Sequence, residues 1–273
     1  AGVYDRDAKR SEAFCRHHTL PAYTGLEDLL ADARVSIVLN LTNPRAHYEV
    51  SRRCLEAGRH VYSEKPLAMD YAQAEELVVL AEKSALLIVS APCSLLGNAA
   101  QTMWRAVRDE VVGKARLVYA ELDDGMVHKM PYRKWLSGAG APWPYKDEFE
   151  VGCTLEHAGY YLAWLIAMFG RVERVVAYAD CLLPDKLSGD SMNPANTPDF
   201  SVGILKFESG VVARLSTTIV APHNHAIRIV GDGGVLELDD CWFNDARVCA
   251  RKLLTVRRKT FLSPWATRFK VAG

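Results

Sequence analysis

The sequence predicts an α/β domain followed by an α+β domain built on a large, mainly antiparallel open sheet. Two textures carry this expectation. Up to about residue 112, short apolar runs alternate with amphipathic helical stretches, which signals a parallel sheet with helical crossovers. From residue 113 onward, long strand-like segments follow one another, several joined by glycine-bearing turns such as "ESGV" and "GDGGV". The expected domains are therefore 1–112 and 113–273, with a boundary near residues 110–114.

The opening "AGVYDRDAKRSEAF" reads as the end of a strand, Asp5 at its tip, and a helix. The run "VSIVLNLT" from Val35 is short and β-branched, as in a buried parallel strand. A helix from about Arg45 to Ala57 is closed by Gly58, and the strand "HVYS" follows. A second helix spans about Tyr71 to Lys83, before the strand "LLIVSAP". In the second domain the strands are "ARLVYAELDD", "VERVVAYADCLL", "DFSVGILKFES", "VVARLSTTIV" and "HAIRIVGDGGVLELD". One helix, roughly Thr154 to Phe169 and ended by Gly170, lies between the first two of them. "KWLSGAGAPWPYKDEFEVG" has the Gly, Pro and aromatic content of a pocket-rim loop. "NPANTPDF" is a loop without an assigned role.

Lys plus Arg and Asp plus Glu balance at 33 each, so bulk charge gives no argument for a polyanionic partner such as nucleic acid. The longest apolar runs fall far short of the ~20 residues of a membrane-spanning helix. Seven cysteines, with no CxxC pair and no secretory signal ahead of them, read as reduced and mostly buried thiols of a cytoplasmic protein. No residue set shows a recognisable metal-ligand spacing. A metal-dependent hydrolase built from His128, Glu156, His157 and the "HNH" at 223–225 is disfavoured on that ground.

The stretch "LEAGRHVYSEKPLAMD" places Glu64 and Lys65 at a strand end, directly before Pro66. Taken alone, that is a solvated pair. Together with "VYDRDAKRSEAF", "LNLTNPRAHYEVSRRCLEAGRHVYSEKPLAMDYAQAEELVVLAEK" and, more weakly, "VGCTLEHAGYYLAWLIAMFG", it resembles the glucose-fructose oxidoreductase and inositol dehydrogenase family, Gfo/Idh/MocA. The resemblance spans most of the chain and implies a Rossmann dinucleotide-binding domain followed by the α+β sheet domain. It also implies NAD(P)-dependent oxidation or reduction of a sugar, nucleotide sugar or cyclitol.

By that resemblance Lys65 touches the reacting hydroxyl, where an ammonium lowers the cost of a developing alkoxide. Glu64, Thr42, Asn43 and His47 are carried over as cofactor neighbours. Asp5 is placed to bind the ribose hydroxyls of NAD and to repel a 2′-phosphate, although Arg6 beside it leaves NADP open. An N-cap role for Asp5, and helix capping by Asn43-Pro44, are the plainer alternatives.

Family members commonly carry Asp, then His four residues on, along the first helix of the second domain. Here those positions are Glu156 and Tyr160, one face of a helix. A tyrosine, with an ordinary pKa of about 10, needs a nearby cation to act as a base, and Lys65 is the candidate. Lys65, Tyr160 and Glu156 are thus the expected catalytic set, with His157 a rival base or substrate contact about 100° around the helix. A core role for Tyr160 stays open. Trp143, Tyr145 and Lys146 are candidate sugar contacts.

In this fold a first strand and a glycine turn are expected ahead of Asp5, that strand lying between the one ending at Asp5 and the one leading to Glu64. The sequence thus reads as truncated ahead of Asp5, and the ending "FKVAG" suggests residues beyond it. A non-catalytic scaffold is the alternative function. A homodimer or homotetramer through the second-domain sheet is expected, because that sheet otherwise exposes apolar surface.

Overall fold

The computed structural model describes residues 2–186 and 197–269, so the loop around residue 193 and the final "KVAG" lie largely outside the described residues. The chain divides into two compact units, Ala1–Ala91 with Met130–Val151, and Pro92–Lys129 with Gly152–Gly273. The sequence boundary near 112 therefore moves to residue 91, and the rim-loop region returns to the first unit. The physical cause of the shift is a helix missed on sequence, Asn98–Arg108, whose Ala99, Ala100 and Met103 are buried in the core of the second unit.

In the first unit, α1 (Ala8–His18) is capped by Asp7, which accepts from the Lys9 and Arg10 N–H groups at 3.0 and 3.3 Å. Asp5 is not the cap; it accepts from the Asp7 N–H at 2.8 Å. After α2 (Leu26–Ala31) come β1 (Ile37–Asn40), α3 (His47–Glu56), β2 (His60–Ser63), α4 (Tyr71–Lys83) and β3 (Ile88–Ser90). The three strands pair in parallel in the order β1-β2-β3. One face of this sheet packs Val38 and Val61 against Leu29, Cys54, Leu55, Leu77 and Ala81. Each of the valines and leucines among them contributes roughly 1.5–3 kcal/mol by burial.

The reading of "VSIVLNLT" as a strand buried on both faces needs correction. Val38 and Asn40 point inward, but Ile37 and Leu39 are 58% and 62% exposed. The neighbour of β2 on that side is β1, so the open edge of the described sheet belongs to β1 and not to the strand leading to Glu64. The second segment of this unit carries α6 (Tyr145–Val151), a helix where a loop was expected, with Tyr132 and Phe149 buried.

In the second unit, α5 (Asn98–Arg108), β4 (Ala115–Asp123) and α7 (Cys153–Phe169) precede strands β5 (Val172–Asp180), β6 (Phe200–Phe207), β7 (Val212–Thr218), β8 (Ile227–Gly231), β9 (Gly234–Leu238), β10 (Val248–Val256), β11 (Lys259–Leu262) and β12 (Thr267–Phe269). They form a nine-stranded sheet in the order β11-β10-β9-β8-β4-β7-β6-β5, with β12 on β10. It is antiparallel except for β4 on β7. The last three strands were missed because only the first residues of β10 alternate inward and outward, and the rest are mostly exposed. Trp164, Leu165 and Tyr161 of α7 pack on Val118, Ala120, Leu122, Ala213, Leu215 and Ile229. On the opposite face Val176, Ile204, Arg214, Tyr119, Arg228 and Glu237 lie side by side in register. Among the described residues no helix is long and apolar enough to cross a membrane.

Candidate functional site

In the first unit, the carboxyl ends of β1 and β2 are tied by a buried polar network, as a buried amide requires. Asn40 donates to the His47 carbonyl at 3.0 Å and to Ser51 Oγ at 2.9 Å, and its Oδ1 accepts from the Thr42 hydroxyl at 2.7 Å. The His47 ring is buried, with Nδ1 2.6 Å from the Pro66 carbonyl and Nε2 2.7 Å from the Thr42 carbonyl. Each ring nitrogen thus faces a backbone carbonyl of the protein, and the one that carries the proton donates to it. His47, expected as a cofactor neighbour, has its ring buried between the turns at Thr42 and Pro66.

Glu64 continues the pairing of β2, its N–H donating to the Asn40 carbonyl at 2.9 Å, and its carboxylate accepts from the Lys65 N–H at 3.1 Å. Both side chains are half-buried and the Lys65–Pro66 peptide is cis. Asn43 does not cap the following helix with its side chain, which instead donates to Asp147 at 2.5 Å, while Arg45 pairs with Glu150 at 3.3 Å. Trp143 packs among Trp135, Tyr132 and Phe149, and Tyr145 lies 5.2 Å from the Tyr132 ring. Trp143 and Tyr145 therefore belong first to an internal aromatic cluster, with Lys146 half-buried on α6 beside it. Asp5, also half-buried, borders an open cleft of about 520 Å³ lined by Tyr4, Arg6, Tyr23 and Thr24 among others.

In the second unit, α7 begins after Gly152, whose φ of +86° suits glycine. Glu156 is buried on this helix, and the partly buried Tyr160 ring stands 5.6 Å from Trp242. Trp242 in turn covers His225 at 4.1 Å, and His225 lies 4.0 Å from His223, all between ring centroids. His157 Nε2 is 3.3 Å from an Asp124 carboxylate oxygen. Asp240 is 2.9 Å from His223 Nε2 and 3.5 Å from His225 Nδ1. Burial, and after it the neighbouring His223, hold the His225 ring below the ordinary imidazole pKa.

The sequence reading named Tyr160, Glu156 and His157 but left out Asp124, Asp240 and Trp242. A partial signal was present: residues 223 and 225, two apart on extended backbone, share a side. Asp124 and Asp240 are brought to them from distant strands, and no spacing announces that.

Residues 1–91 match the model of an oxidoreductase family with an NAD-binding Rossmann fold, and residues 100–237 match the GFO/IDH/MocA C-terminal domain. The chain belongs to the Gfo/Idh/MocA family. A trans-1,2-dihydrobenzene-1,2-diol dehydrogenase from Bos taurus is 25% identical over 243 residues, which cover 88% of this chain and 66% of that protein. An uncharacterized oxidoreductase from Synechocystis is 25% identical over 86% of this chain and 63% of its own length. The chain thus spans slightly less than two thirds of the length of these relatives.

Solved structures share the fold. An inositol dehydrogenase homolog from Azotobacter vinelandii, complexed with NADH and myo-inositol, superposes with a TM-score of 0.76 at 17% identity, covering 99% of this chain and 67% of that one. The 3-ketoreductase KijD10 from Actinomadura kijaniata, complexed with TDP-benzene and NADP, gives 0.74 at 19% identity, covering 99% and 75%. Further structures of KijD10 carry a lysine-to-alanine or a tyrosine-to-phenylalanine replacement.

Proposed function

We propose that the protein is an NAD(P)-dependent oxidoreductase that moves a hydride between nicotinamide and a hydroxyl or ketone carbon of a sugar, nucleotide sugar or cyclitol. The observation that carries this reading is Lys65, held at the carboxyl end of β2 by the network of Asn40, His47 and Pro66. Open parallel sheets take their ligands at that end. A relative named as a diol dehydrogenase, and solved structures complexed with myo-inositol and with UDP-GlcNAcA, support the substrate class.

The donor set fits a dinucleotide at the two places these residues would touch. Asp5 offers a half-buried carboxylate as acceptor for ribose hydroxyls, which favours NAD, and the exposed Arg6 beside it leaves NADP accessible. Thr42, Asn43 and Glu64 frame the turn beside Lys65, the Thr42 and Asn43 side chains being fixed by Asn40 and Asp147. When bound, the nicotinamide ring supplies the acceptor or donor of the hydride. Lys65 stabilises the oxygen of the reacting carbon as negative charge develops on it. Tyr160 exchanges the proton of that hydroxyl, and the buried Glu156, four residues earlier on the same helical face, orients it. His157, already against Asp124, is assigned a supporting place rather than the proton transfer.

A homodimer or homotetramer through the second-unit sheet goes with this reading, since exposed Tyr119, Ile204, Val176 and Tyr178 line its outer face. So does a reducing, cytoplasmic location, since all seven cysteines are free thiols, although only Cys54, Cys153 and Cys241 are fully buried. The test is to incubate the protein with NAD or NADP and a panel of sugars, nucleotide sugars and inositols, and to follow reduced nicotinamide. Turnover with one of them is expected. Absence of dinucleotide binding by calorimetry would favour the scaffold role instead.

A further inference from the structure

We propose that Asp124, His223 and His225 form a binding site for one divalent transition-metal ion of the Zn²⁺ class. The three residues offer one ligand atom each, all within 4.8 Å of one another. Their backbones are pinned. Asp123 and Asn224 exchange two hydrogen bonds, Asp123 N–H to the Asn224 carbonyl at 3.0 Å and Asn224 N–H to the Asp123 carbonyl at 2.9 Å. Neighbours of a paired position point to the opposite face, so Asp124, His223 and His225 are sent together to one side of that bridge.

Each candidate ligand also has an outer partner of the kind that orients metal-binding side chains. Asp240 touches His223 Nε2 at 2.9 Å and approaches His225 Nδ1 at 3.5 Å, leaving the other nitrogen of each ring for an ion. His157 Nε2 lies 3.3 Å from the second oxygen of Asp124. Asp240 is itself placed by a bridge to His225 and by the Cys241 N–H, which donates to the His225 carbonyl at 3.2 Å.

The observation that points to a ligand is His225. Its side chain is 0% exposed, yet among the described residues neither ring nitrogen is hydrogen-bonded. The nearest carboxylate oxygens, at 3.5 and 3.7 Å, are close without being aligned. A buried polar group left this way needs an explanation, and an ion is one that satisfies it. Two imidazoles and one carboxylate suit Zn²⁺ and similar ions better than Mg²⁺ or Ca²⁺. Asp124 and Asp240 together offset the double positive charge. Tetrahedral bonds of about 2.0–2.1 Å set ligand atoms about 3.3 Å apart, so the separations, all within 4.8 Å, have to shorten by at most about 1.5 Å. His223, half-exposed, leaves a route for the ion and for a water as fourth ligand.

This inference is independent of the dehydrogenase reading and is tested without dinucleotide or substrate. The untagged full chain is stripped with chelator and titrated with Zn²⁺, and a Co²⁺-loaded sample is examined for tetrahedral visible bands. One ion per chain is expected. His223→Ala, on the accessible ligand, and Asp124→Ala should weaken binding by more than the about 10–100-fold expected for Asp240→Asn, an outer partner. Zn²⁺ should raise the melting temperature of the parent chain and not of His223→Ala, which separates ion loss from misfolding. The exposed histidines His17 and His18 of α1, consecutive in the chain, supply the control: replacing both by Ala should leave the ion in place. Zn²⁺ binding that disappears with His17 and His18, or that is unchanged in His223→Ala, or no binding at all, overturns the proposal.

Discussion

The Asn43 side chain donates to the Asp147 carboxylate at 2.5 Å across 104 positions of sequence. This bond, with Arg45–Glu150 at 3.3 Å, fastens the segment 130–151 to the turn after β1. Asn43→Ala should therefore loosen that segment first. A charge-assisted hydrogen bond of this kind contributes roughly 1.5–3 kcal/mol. Limited trypsin digestion, read by mass spectrometry, should show earlier cleavage at Arg133, Lys134 and Lys146 than in the parent chain. Unchanged cleavage there would show that the buried Tyr132 and Phe149 hold the segment without it.

Tyr160→Phe removes a hydroxyl and keeps the ring that packs 5.6 Å from Trp242. Turnover in the assay above should fall by about 10²–10⁴-fold, the usual range for a general acid–base group, while dinucleotide affinity stays near its parent value. Lys65→Ala should lower turnover as well. His157→Asn, which keeps a polar neighbour for Asp124, should be far milder; the reverse ranking would assign proton transfer to His157.

Lys186 and Asp199 form a buried pair at 3.2 Å, with side chains 1% and 0% exposed. Asp199 also accepts from the Leu182 and Leu183 N–H groups at 2.7 and 2.9 Å. Lys186→Ala leaves that carboxylate charged and without its cation, a change that typically costs about 3–5 kcal/mol. Urea unfolding should register the loss. Replacing both residues together should cost less than the sum of the single changes.

Gly152 precedes α7 with φ +86°, and a Cβ there would stand 2.5 Å from Thr197 Cγ2 and 3.1 Å from the Pro198 carbonyl. Gly152→Ala should pull the start of α7 away from Pro198, whose carbonyl accepts the Cys153 N–H at 3.0 Å. The expected loss is about 1–3 kcal/mol from the backbone alone. It should appear as a lower melting temperature together with reduced activity, because Glu156 and Tyr160 ride on this helix.

Burial pushes the Cys54 thiol up to about 11 and the Cys241 thiol up to about 12. Both should resist iodoacetamide at mildly alkaline pH in the folded protein, while the exposed Cys93 reacts. With folded values above the unfolded one, the contribution to stability is complete below the unfolded thiol pKa of about 8.5 and is lost as pH rises toward 11 and 12. Each thiol then lowers stability by about 1.4 kcal/mol per pH unit, and equilibrium unfolding across that window would measure it.

Much of the fold was legible because it rests on local pattern. The helix Tyr71–Lys83 and the strand His60–Ser63 lie where periodicity put them. Gly170 ends the α7 helix, and β4 through β9 follow their alternating segments. The unit boundary and β10–β12 were not legible. Nothing in Asn98–Arg108 says which sheet its buried face will cover, and only the first residues of β10 alternate inward and outward before the strand becomes mostly exposed.

The sequence by itself determined the family, through the run ending in Glu64-Lys65-Pro66, and it nominated Lys65, Glu156 and Tyr160. It could do so because those residues sit in contiguous motifs, where order along the chain is enough. Only the tertiary structure decided that the His47 ring is buried between two backbone carbonyls, and that Asp124, Asp240 and Trp242 gather around His223 and His225. Those arrangements depend on which strand pairs with which, and strand pairing is set by burying a whole sheet face, a property that no short stretch of sequence records.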